Sequence, residues 1–184
     1  MFYEIKVKSH IRVSPDKFGE DIKKAILETL NKMFEGYISK DLGAVIAISD
    51  ITNIGEGVII SGDGAAYYDT EFKVFAFKPE LQEVVLGKIN DITDFGAFID
   101  IGPLDGMIHV SQTMDDFVSF SKSNILTGKE SKRVLKVGDK CRARIIAVSH
   151  KDPTNPKIGL TMRQHKLGAL SWLEQENKKP SKKK

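Results

Sequence analysis

Residues 87–112 read GKINDITDFGAFIDIGPLDGMIHVSQ, residues 137–149 read VGDKCRARIIAVS, and residues 157–163 read KIGLTMR. Apolar and polar residues alternate in five short blocks of this region, and glycine, aspartate or proline bounds each block. Such alternation indicates β-strands, because successive side chains of a strand point to opposite faces. Five closely spaced strands predict a small all-β barrel.

The same pattern assigns the barrel strands and the segments around them. A long excursion, Ser111–Val137, separates the third predicted strand from the fourth, and we expect it to hold a short helix capped by Ser111 and a mobile loop over 121–132. After the barrel, LGALSWLEQE (167–176) predicts a terminal helix, and the lysine-rich end predicts a disordered tail. The predicted strands are Glu83–Thr93, Ala97–Ile101, Gly106–Val110, Lys140–Ser149 and Lys157–Met162.

The first 79 residues are organised differently, with one helix among the strands. Ser14 and Pro15 suit the start of a helix whose apolar stripe runs from Phe18 to Met33, and Gly36 suits its end. One strand before this helix and three after it predict an α+β domain with the helix on an antiparallel sheet. Strands are predicted at Phe2–Val13, Ala44–Ile54, Val58–Ser61 and Ala66–Phe77, with turns at Gly55-Glu56-Gly57 and Gly62-Asp63-Gly64.

Pro79 marks the predicted boundary between these two parts. We therefore expect three segments: residues 1–79 as the α+β domain, residues 80–164 as the barrel, and residues 165–184 as a terminal helix with a lysine-rich tail.

Composition bounds the class of protein. The chain has 184 residues and one cysteine, Cys141, which excludes an intrachain disulfide and a cysteine zinc cluster. No apolar run is long enough to span a membrane and the strand-like start resembles no targeting peptide, so we expect a cytoplasmic protein without a membrane partner. The net charge of +3 depends on five lysines among the last seven residues, so net charge alone does not argue for nucleic acid.

Two phenylalanines and a histidine mark a possible binding face of the barrel. Phe95 and Phe98 would point to opposite faces of a regular strand, but a bulge at Gly96 would bring both rings to one side. His109 on a neighbouring strand would add a third flat group, and such a face can stack single-stranded nucleic acid. Burial of one or both rings in the barrel core is the alternative.

Basic residues on the strands are candidates for phosphate contacts. Lys88, Arg142 and Arg144 point away from the core if Ile89, Cys141 and Ile145 point inwards. Charges on the outer face of a strand are also common where they serve only solubility. The pattern leaves both interpretations open.

The sequence contains no recognisable active site. The histidines and the cysteine lack metal-ligand spacing, and no serine or cysteine lies in a nucleophile elbow. Gly62-Asp63-Gly64 is not a dinucleotide fingerprint, because a strand rather than a helix follows it. We expect no catalytic residue, no metal and no cofactor.

The barrel residues resemble the RNA-binding barrel named after ribosomal protein S-one, a five-stranded OB-type fold. The resemblance rests on FGAF at 95–98, IHVS at 108–111, and the two strands GDKCRARIIAVS and KIGLTMR. It implies binding of single-stranded RNA. The residues expected to bind RNA are Phe95, Phe98, His109, Lys88, Arg142, Arg144, Lys157 and Arg163.

The whole chain resembles the family of the archaeal RNA polymerase E-prime subunit, the counterpart of the seventh subunit of eukaryotic RNA polymerase II. KDLGAVIAI at 40–48 and GEGVIISGDGAAYYDTEFKVFAFKP at 55–79 precede the barrel, and LTMRQHKLGALSW at 160–172 runs from its last strand into the segment after it. The resemblance implies a ribonucleoprotein-like first domain whose tip docks on the polymerase core at the base of the clamp. The residues that match tip regions are Lys40, Asp41, Leu42, Gly43, Gly62, Asp63 and Gly64.

The resemblance also implies a tight partner, the small helical F subunit of the polymerase, and a stalk beside the RNA exit channel where the barrel meets nascent RNA. Three positions depart from the family pattern: Ser149 replaces a common aspartate, Gly159 replaces a basic residue, and His165 replaces a proline. We therefore predict a non-catalytic subunit of DNA-directed RNA polymerase. The alternative is a free-standing RNA-binding adaptor of an exosome or a translation initiation complex.

Overall fold

The computed structural model describes residues 1–121, 124–149, 152 and 156–178, with side chains up to residue 175 in the last helix. Most of the lysine-rich end, residues 179–184, for which the sequence predicts disorder, lies outside the described residues. The chain divides into two compact units, Met1–Lys78 and Pro79–Lys184.

The first unit consists of one sheet and one long helix. Its elements are β1 (Phe2–Val13), a 3-10 helix (Pro15–Lys17), α1 (Ile22–Phe34), β2 (Ile38–Ser39), β3 (Gly43–Ile59) and β4 (Ala66–Phe77). The four strands pair antiparallel in the order β1-β4-β3-β2. This arrangement confirms the predicted α+β fold, in which a helix lies on an antiparallel sheet.

Helix α1 packs on the sheet through the middle of the predicted apolar stripe, whereas Ile22 and Met33 are about half exposed. Ala25, Ile26 and Leu30 are buried in one cluster with Ile11 of β1 and Phe72 of β4. Burial of each large aliphatic side chain contributes about 1.5–3 kcal/mol relative to exposure. The helix ends at Phe34.

The predicted start of this helix at Ser14 is wrong. Ser14 precedes only the 3-10 turn, and α1 begins after Asp21, whose backbone is extended. Gly19 lies in the interruption, where glycine costs a continued helix about 1 kcal/mol relative to alanine. Phe18 is consequently left half exposed. The predicted end is confirmed, because Gly36 adopts the left-handed conformation at φ +68°.

Strand β3 is continuous where the sequence predicts two strands, so the predicted turn at Gly55-Glu56-Gly57 is wrong. Ile54 pairs with Thr70 and Gly57 pairs with Tyr68, so this stretch of β3 holds one residue more than its partner. Such an extra residue forms a β-bulge, which bends a strand without ending it. The predicted turn at 62–64 is confirmed, with positive φ at both glycines.

The second unit contains a closed five-stranded barrel. Its strands are β5 (Val84–Ile92), β6 (Gly96–Asp100), β7 (Asp105–His109), β11 (Lys140–Ser149) and β12 (Lys157–Thr161), each within one residue of its predicted bounds. They pair in the order β12-β7-β6-β5-β11, and β11 also pairs with β12. Only the β7–β12 pair is parallel among these strands. Ile89, Ile99, Ile108, Ile145 and Leu160 fill the interior.

The excursion between β7 and β11 contains a small sheet, so the predicted loop over 121–132 is wrong where a strand forms at 125–128. A short helix, α2 (Val110–Thr113), is followed by three antiparallel strands, β8 (Val118–Ser121), β9 (Ile125–Gly128) and β10 (Val134–Lys136). We call these three strands the excursion sheet. Leu126 pairs with Leu135, and both side chains are fully buried. The sequence does not show this sheet, because each strand contributes a single buried leucine and an alternating pattern needs several. The two leucines become buried only when their strands pair.

The segment after the last barrel strand packs on this excursion. Strand β13 (Gly168–Ala169) pairs with β11, and helix α3 spans Leu170–Lys178, close to its predicted position. Trp172 is buried, and its indole Nε1 donates a hydrogen bond of 3.1 Å to the Val134 carbonyl of β10. The terminal helix therefore anchors the excursion sheet.

Candidate nucleic-acid interface

Two aromatic rings meet on the outside of the barrel. Ala97 and Ile99 of β6 are fully buried, so Phe98 between them faces outwards and is half buried. Phe95 lies just before the strand and is exposed. Their ring centroids are 6.0 Å apart with an interplanar angle of 88°, which is the edge-to-face arrangement that aromatic pairs favour.

The bulge that accompanies this arrangement lies on the neighbouring strand rather than at Gly96, where the sequence analysis places it. Ile89 pairs with Ile99 and Asp91 pairs with Phe98, so Asn90 of β5 is the extra residue. Gly96 allows close pairing instead, because a Cβ atom there would lie 2.2 Å from the carbonyl oxygen of Ile108. Phe95 precedes the strand, so strand alternation does not govern its direction.

His109 ends β7 directly opposite Gly96, and its ring is exposed. Its Nδ1 atom accepts a hydrogen bond of 3.3 Å from the Ser111 backbone N–H and lies 2.8 Å from the Ser111 hydroxyl oxygen. Because Nδ1 accepts, the neutral ring carries its proton on Nε2. The first turn of α2 therefore orients this histidine.

The predicted lysines lie beside carboxylates. Lys88 of β5 pairs with Asp100 of β6, and Asp100 pairs with Asp105 of β7. Lys157 begins β12 one position before the residue that pairs with Gly106, so it lies next to Asp105 in the ladder. The positive charge at this end of the barrel is consequently opposed by two negative charges.

The two predicted arginines of β11 are not beside the aromatic pair. Arg142 pairs with Leu86 and Arg144 pairs with Val84, both on β5. One complete strand, β5, lies between them and Phe98 on that side of the barrel. Both arginines are half buried. Arg163 lies elsewhere, and its Nε atom binds a carboxylate oxygen of Asp115 at 2.8 Å.

The structure adds residues that the sequence analysis missed. Met107 of β7 pairs with Phe98 and is half buried, Gly159 of β12 pairs with Met107, and Ala147 of β11 pairs with Gly159. Gly159 and Ala147 have small side chains, so no bulky group projects from the surface on this side of Met107. The surface next to Phe98 is therefore open and partly apolar. Strand alternation counted from Phe98 and His109 would have predicted Met107 on this face.

The two predicted docking segments of the first unit lie at opposite ends of its sheet. Lys40, Asp41 and Leu42 connect β2 to β3 near Phe77, since Ala44 pairs with Phe77. The turn at 62–64 follows the other end of β3, where Ile59 pairs with Ala66. At about 3.3 Å per residue, the twelve-residue strand β4 separates them by roughly 36 Å.

Gly43 permits close packing at the first of these segments. Its φ is +80°, and a Cβ atom there would lie 2.3 Å from the Phe77 carbonyl oxygen. The Lys78 ammonium donates a hydrogen bond of 3.1 Å to the Asp41 carbonyl. Both contacts tie the segment to the end of β4.

The turn at 62–64 is held to β1 by an ion pair. Arg12 donates from Nε and Nη2 to the two carboxylate oxygens of Asp63, at 3.0 and 2.7 Å, and the Tyr67 hydroxyl donates to the same carboxylate. These hydrogen bonds lower the pKa of Asp63 to about 2. The pKa values of Arg12 and Tyr67 are raised for the same reason. The conformation of this turn is therefore specified by side chains as well as by its glycines.

Three apolar side chains next to this turn are exposed and were not predicted as part of a site. Val58 and Ile59 at the end of β3 are 61% and 67% exposed, and Ile60 is about half exposed. Adjacent exposed aliphatic residues often mark a surface that a partner covers. A short run of β-branched apolar residues is also usual for a buried strand, so only the structure distinguishes the two.

Other classes of site are not found in the part of the chain that the structure describes. No group of three or more histidine, cysteine, aspartate or glutamate residues there is arranged to hold a metal ion. None of the described helices has the length and apolar character needed to cross a membrane.

Comparison with protein families assigns each unit. Residues 8–64 match the SHS2 domain found in the N terminus of Rpb7p and Rpc25p, and residues 78–154 match the S1 RNA binding domain. The second match agrees with the OB-type barrel.

Comparison with individual proteins covers nearly the whole chain. The DNA-directed RNA polymerase subunit Rpo7 of Saccharolobus solfataricus is 39% identical over 97% of this chain and 100% of that protein. The Rpo7 protein of Sulfolobus acidocaldarius is 36% identical over 99% of this chain and 100% of that protein. The RNA polymerase III subunit RPC8 of Saccharomyces cerevisiae is 33% identical over 62% of this chain and 54% of its own length. The chain therefore belongs to the family of the archaeal DNA-directed RNA polymerase subunit Rpo7.

Proposed function

We propose that this chain is a non-catalytic stalk subunit of DNA-directed RNA polymerase that binds nascent single-stranded RNA, pairs with the F subunit and docks on the polymerase core at the base of the clamp. Full-length similarity to archaeal Rpo7 proteins supports assembly into a polymerase. The S1 match over the barrel supports RNA binding.

The observation that carries RNA binding is the aromatic pair on the outer face of the barrel. Phe95, Phe98 and His109 present three rings that a single strand can stack on, and each stacked base contributes about 1–3 kcal/mol with little sequence preference. Because these rings are separated from the basic residues, an RNA strand that contacts both would have to wrap around the barrel. The phosphate contacts in this proposal come from Lys88, Lys157, Arg142, Arg144 and Arg163.

Docking on the core is assigned to the turn at 62–64 and the apolar residues beside it. The Arg12–Asp63 ion pair orders the turn, and Val58 and Ile59 supply apolar area for a partner. The Lys40–Gly43 segment, at the other end of the sheet, makes a second contact in this proposal. One small binding surface cannot include both segments.

The F subunit is expected to cover other exposed apolar side chains. Leu86 and Val84 of β5 and Ile146 of β11 are exposed on the outside of the barrel, next to the half-buried arginines. Coverage of this strip by the F subunit would remove the apolar area from water.

The test is purification of the tagged full-length chain from its source organism with nuclease treatment, followed by mass spectrometry. We expect the F subunit and the large polymerase subunits to copurify with it. Recovery of exosome or translation initiation components without polymerase would contradict the proposal and favour an RNA-binding adaptor.

A further inference from the structure

A groove runs beside the aromatic face, between α2, the excursion sheet and the segment after β12. It consists of two clefts of about 490 and 340 Å³ that share Asp115 and Arg163 in their walls. We call these two clefts the Arg163 groove. None of the sequence motifs predicted it, because its walls come from residues about 50 positions apart.

The groove begins next to His109. Ser111, which orients the His109 ring, also lines the first cleft. Helix α2 is fixed to the segment after β12, because the Met162 backbone N–H donates to the Gln112 carbonyl at 2.8 Å and the Thr161 hydroxyl donates to Gln112 Oε1 at 2.8 Å. An RNA strand that leaves the aromatic face past His109 therefore enters this groove.

The first cleft presents an aromatic ring. Phe117 lines it and is 77% exposed, more than any other large apolar side chain of the described barrel unit. The carboxylate of Asp116 in the same wall accepts hydrogen bonds from the backbone and hydroxyl of Ser131 and from the backbone N–H of Glu130, at 2.8–3.0 Å. These bonds hold its pKa below the usual range. Asp116 is therefore occupied by protein donors. Asp115 and Glu130 also line this cleft and Arg163 is its one cation among the lining residues, so the exposed ring rather than charge is its binding element.

The second cleft is positively charged. Arg133, Arg163 and Lys166 line it together with His165, and Asp115 is the carboxylate among them. Asp115 already binds Nε of Arg163. Lys166 is exposed, with its backbone in the left-handed region at φ +61°. Three fixed positive charges against one carboxylate suit phosphate groups.

We infer that single-stranded RNA extends from the aromatic face into the Arg163 groove, where one base stacks on Phe117 and the following phosphates bind Arg163, Lys166 and Arg133. This inference rests on the proposed RNA binding by the barrel. Proteins that bind single-stranded nucleic acid combine aromatic side chains, on which bases stack, with a positively charged groove that follows the phosphate backbone.

Two variants separate the two contacts. Phe117→Ala removes an exposed ring, so we expect 5- to 100-fold weaker binding of a 12-nucleotide oligouridine and little change for a 4-nucleotide one. Lys166→Gln removes one phosphate contact, so the slope of log affinity against log salt should fall by about 0.7 for the longer oligonucleotide. Fluorescence anisotropy of the full-length chain measures both. Lys24→Gln, an exposed lysine of α1, is the matched control for the charge change.

The outcomes distinguish this inference from the function on which it rests. If both variants bind the longer oligonucleotide like the unmodified chain, the groove is not part of the RNA path, and the aromatic face stands alone. If Phe117→Ala weakens both lengths equally, Phe117 belongs to the primary face and the extended path is wrong. If the unmodified chain binds neither oligonucleotide, both the proposed RNA binding and this inference fail.

Discussion

Phe98 lies on the outer face of the barrel, between two residues that fill its interior. Its ring packs against Phe95 outside the barrel, while Ala97 and Ile99 on either side fill the interior. Outward-facing residues alternate with core residues along a strand, so the proposed binding face is specified by the same pattern that specifies the core.

Replacing Phe98 with alanine should weaken RNA binding while the barrel stays folded. We expect an affinity loss of about 5- to 150-fold, equivalent to one lost stack of about 1–3 kcal/mol. Anisotropy measures the affinity, and circular dichroism checks the fold. Phe18→Ala, which removes a half-exposed ring of the first unit, should leave RNA affinity unchanged. Unfolding of the Phe98→Ala variant would mean that this ring serves the core.

Asp63 should make the order of its turn depend on pH in the acid range. Hydrogen bonds from Arg12 and Tyr67 lower its pKa from 3.8 to about 2. Because the folded pKa lies below the unfolded one, the stabilisation is complete above about pH 4 and is lost as the pH falls through about 2.

An NMR titration of the Asp63 carboxyl carbon and amide exchange at 62–64 measure this effect. The Asp63→Asn variant should show lower protection factors at neutral pH, and these factors, corrected for the intrinsic exchange rate, should not change with acid in this window. A midpoint near 4 in the unmodified chain would contradict the ion pair.

At the scale of elements, the excursion sheet is held together by contacts that no single strand contains. Its turn donates hydrogen bonds to the Asp116 carboxylate, and its middle strand supplies Leu126 to the core. Pairing of β9 with β10 stabilises the sheet because it buries Leu126 and Leu135 together. The terminal helix contacts the sheet through the hydrogen bond from Trp172 to the Val134 carbonyl.

Gly128 in this sheet should not tolerate a side chain. A Cβ atom there would lie 2.4 Å from Asp116 Oδ2 and 2.5 Å from Ser131 Oγ. We expect Gly128→Ala to destabilise the barrel unit by about 1–3 kcal/mol, because the carboxylate must leave its donors. Denaturant unfolding followed by the fluorescence of Trp172, the only tryptophan, measures it. Gly19→Ala, where a Cβ meets nothing within 4 Å, is the control and should be neutral or stabilising.

At the scale of the whole molecule, the two units divide the proposed tasks. The first unit carries the ordered turn and the exposed Val58 and Ile59, and the second carries the aromatic face. Each unit has its own core, so surface changes in one need not alter the other.

This division predicts variants that separate the two functions. Val58→Ser combined with Ile59→Ser should weaken assembly with the polymerase core and leave RNA affinity of the isolated chain unchanged. Phe98→Ala should do the reverse. Quantitative copurification and anisotropy on the same preparations measure the two properties. A double serine variant that assembles normally would show that docking uses another surface, such as the Lys40–Gly43 segment.

Local patterns were sufficient for much of this architecture. Alternation placed all five barrel strands within one residue, and the glycine pair around Asp63 marked a true turn. These features depend on near neighbours in the chain, since side-chain direction has period two and positive φ is a property of single residues. The buried residues of the barrel strands follow directly from this alternation.

Other features depended on partners distant in the chain. Gly55-Glu56-Gly57 reads as a turn but forms a bulge, because β4 offers a continuous strand to pair with. The ring of Phe95 meets that of Phe98 outside the strand, next to a bulge at Asn90 on β5. Ser111, Arg163 and Lys166 come together around one groove only after β12 pairs with β7. Alternation and turn chemistry are local, so the barrel strands could be assigned from the amino-acid order. Register and the surfaces between elements arise from long-range packing, so the bulge in β3, the excursion sheet and the groove could not.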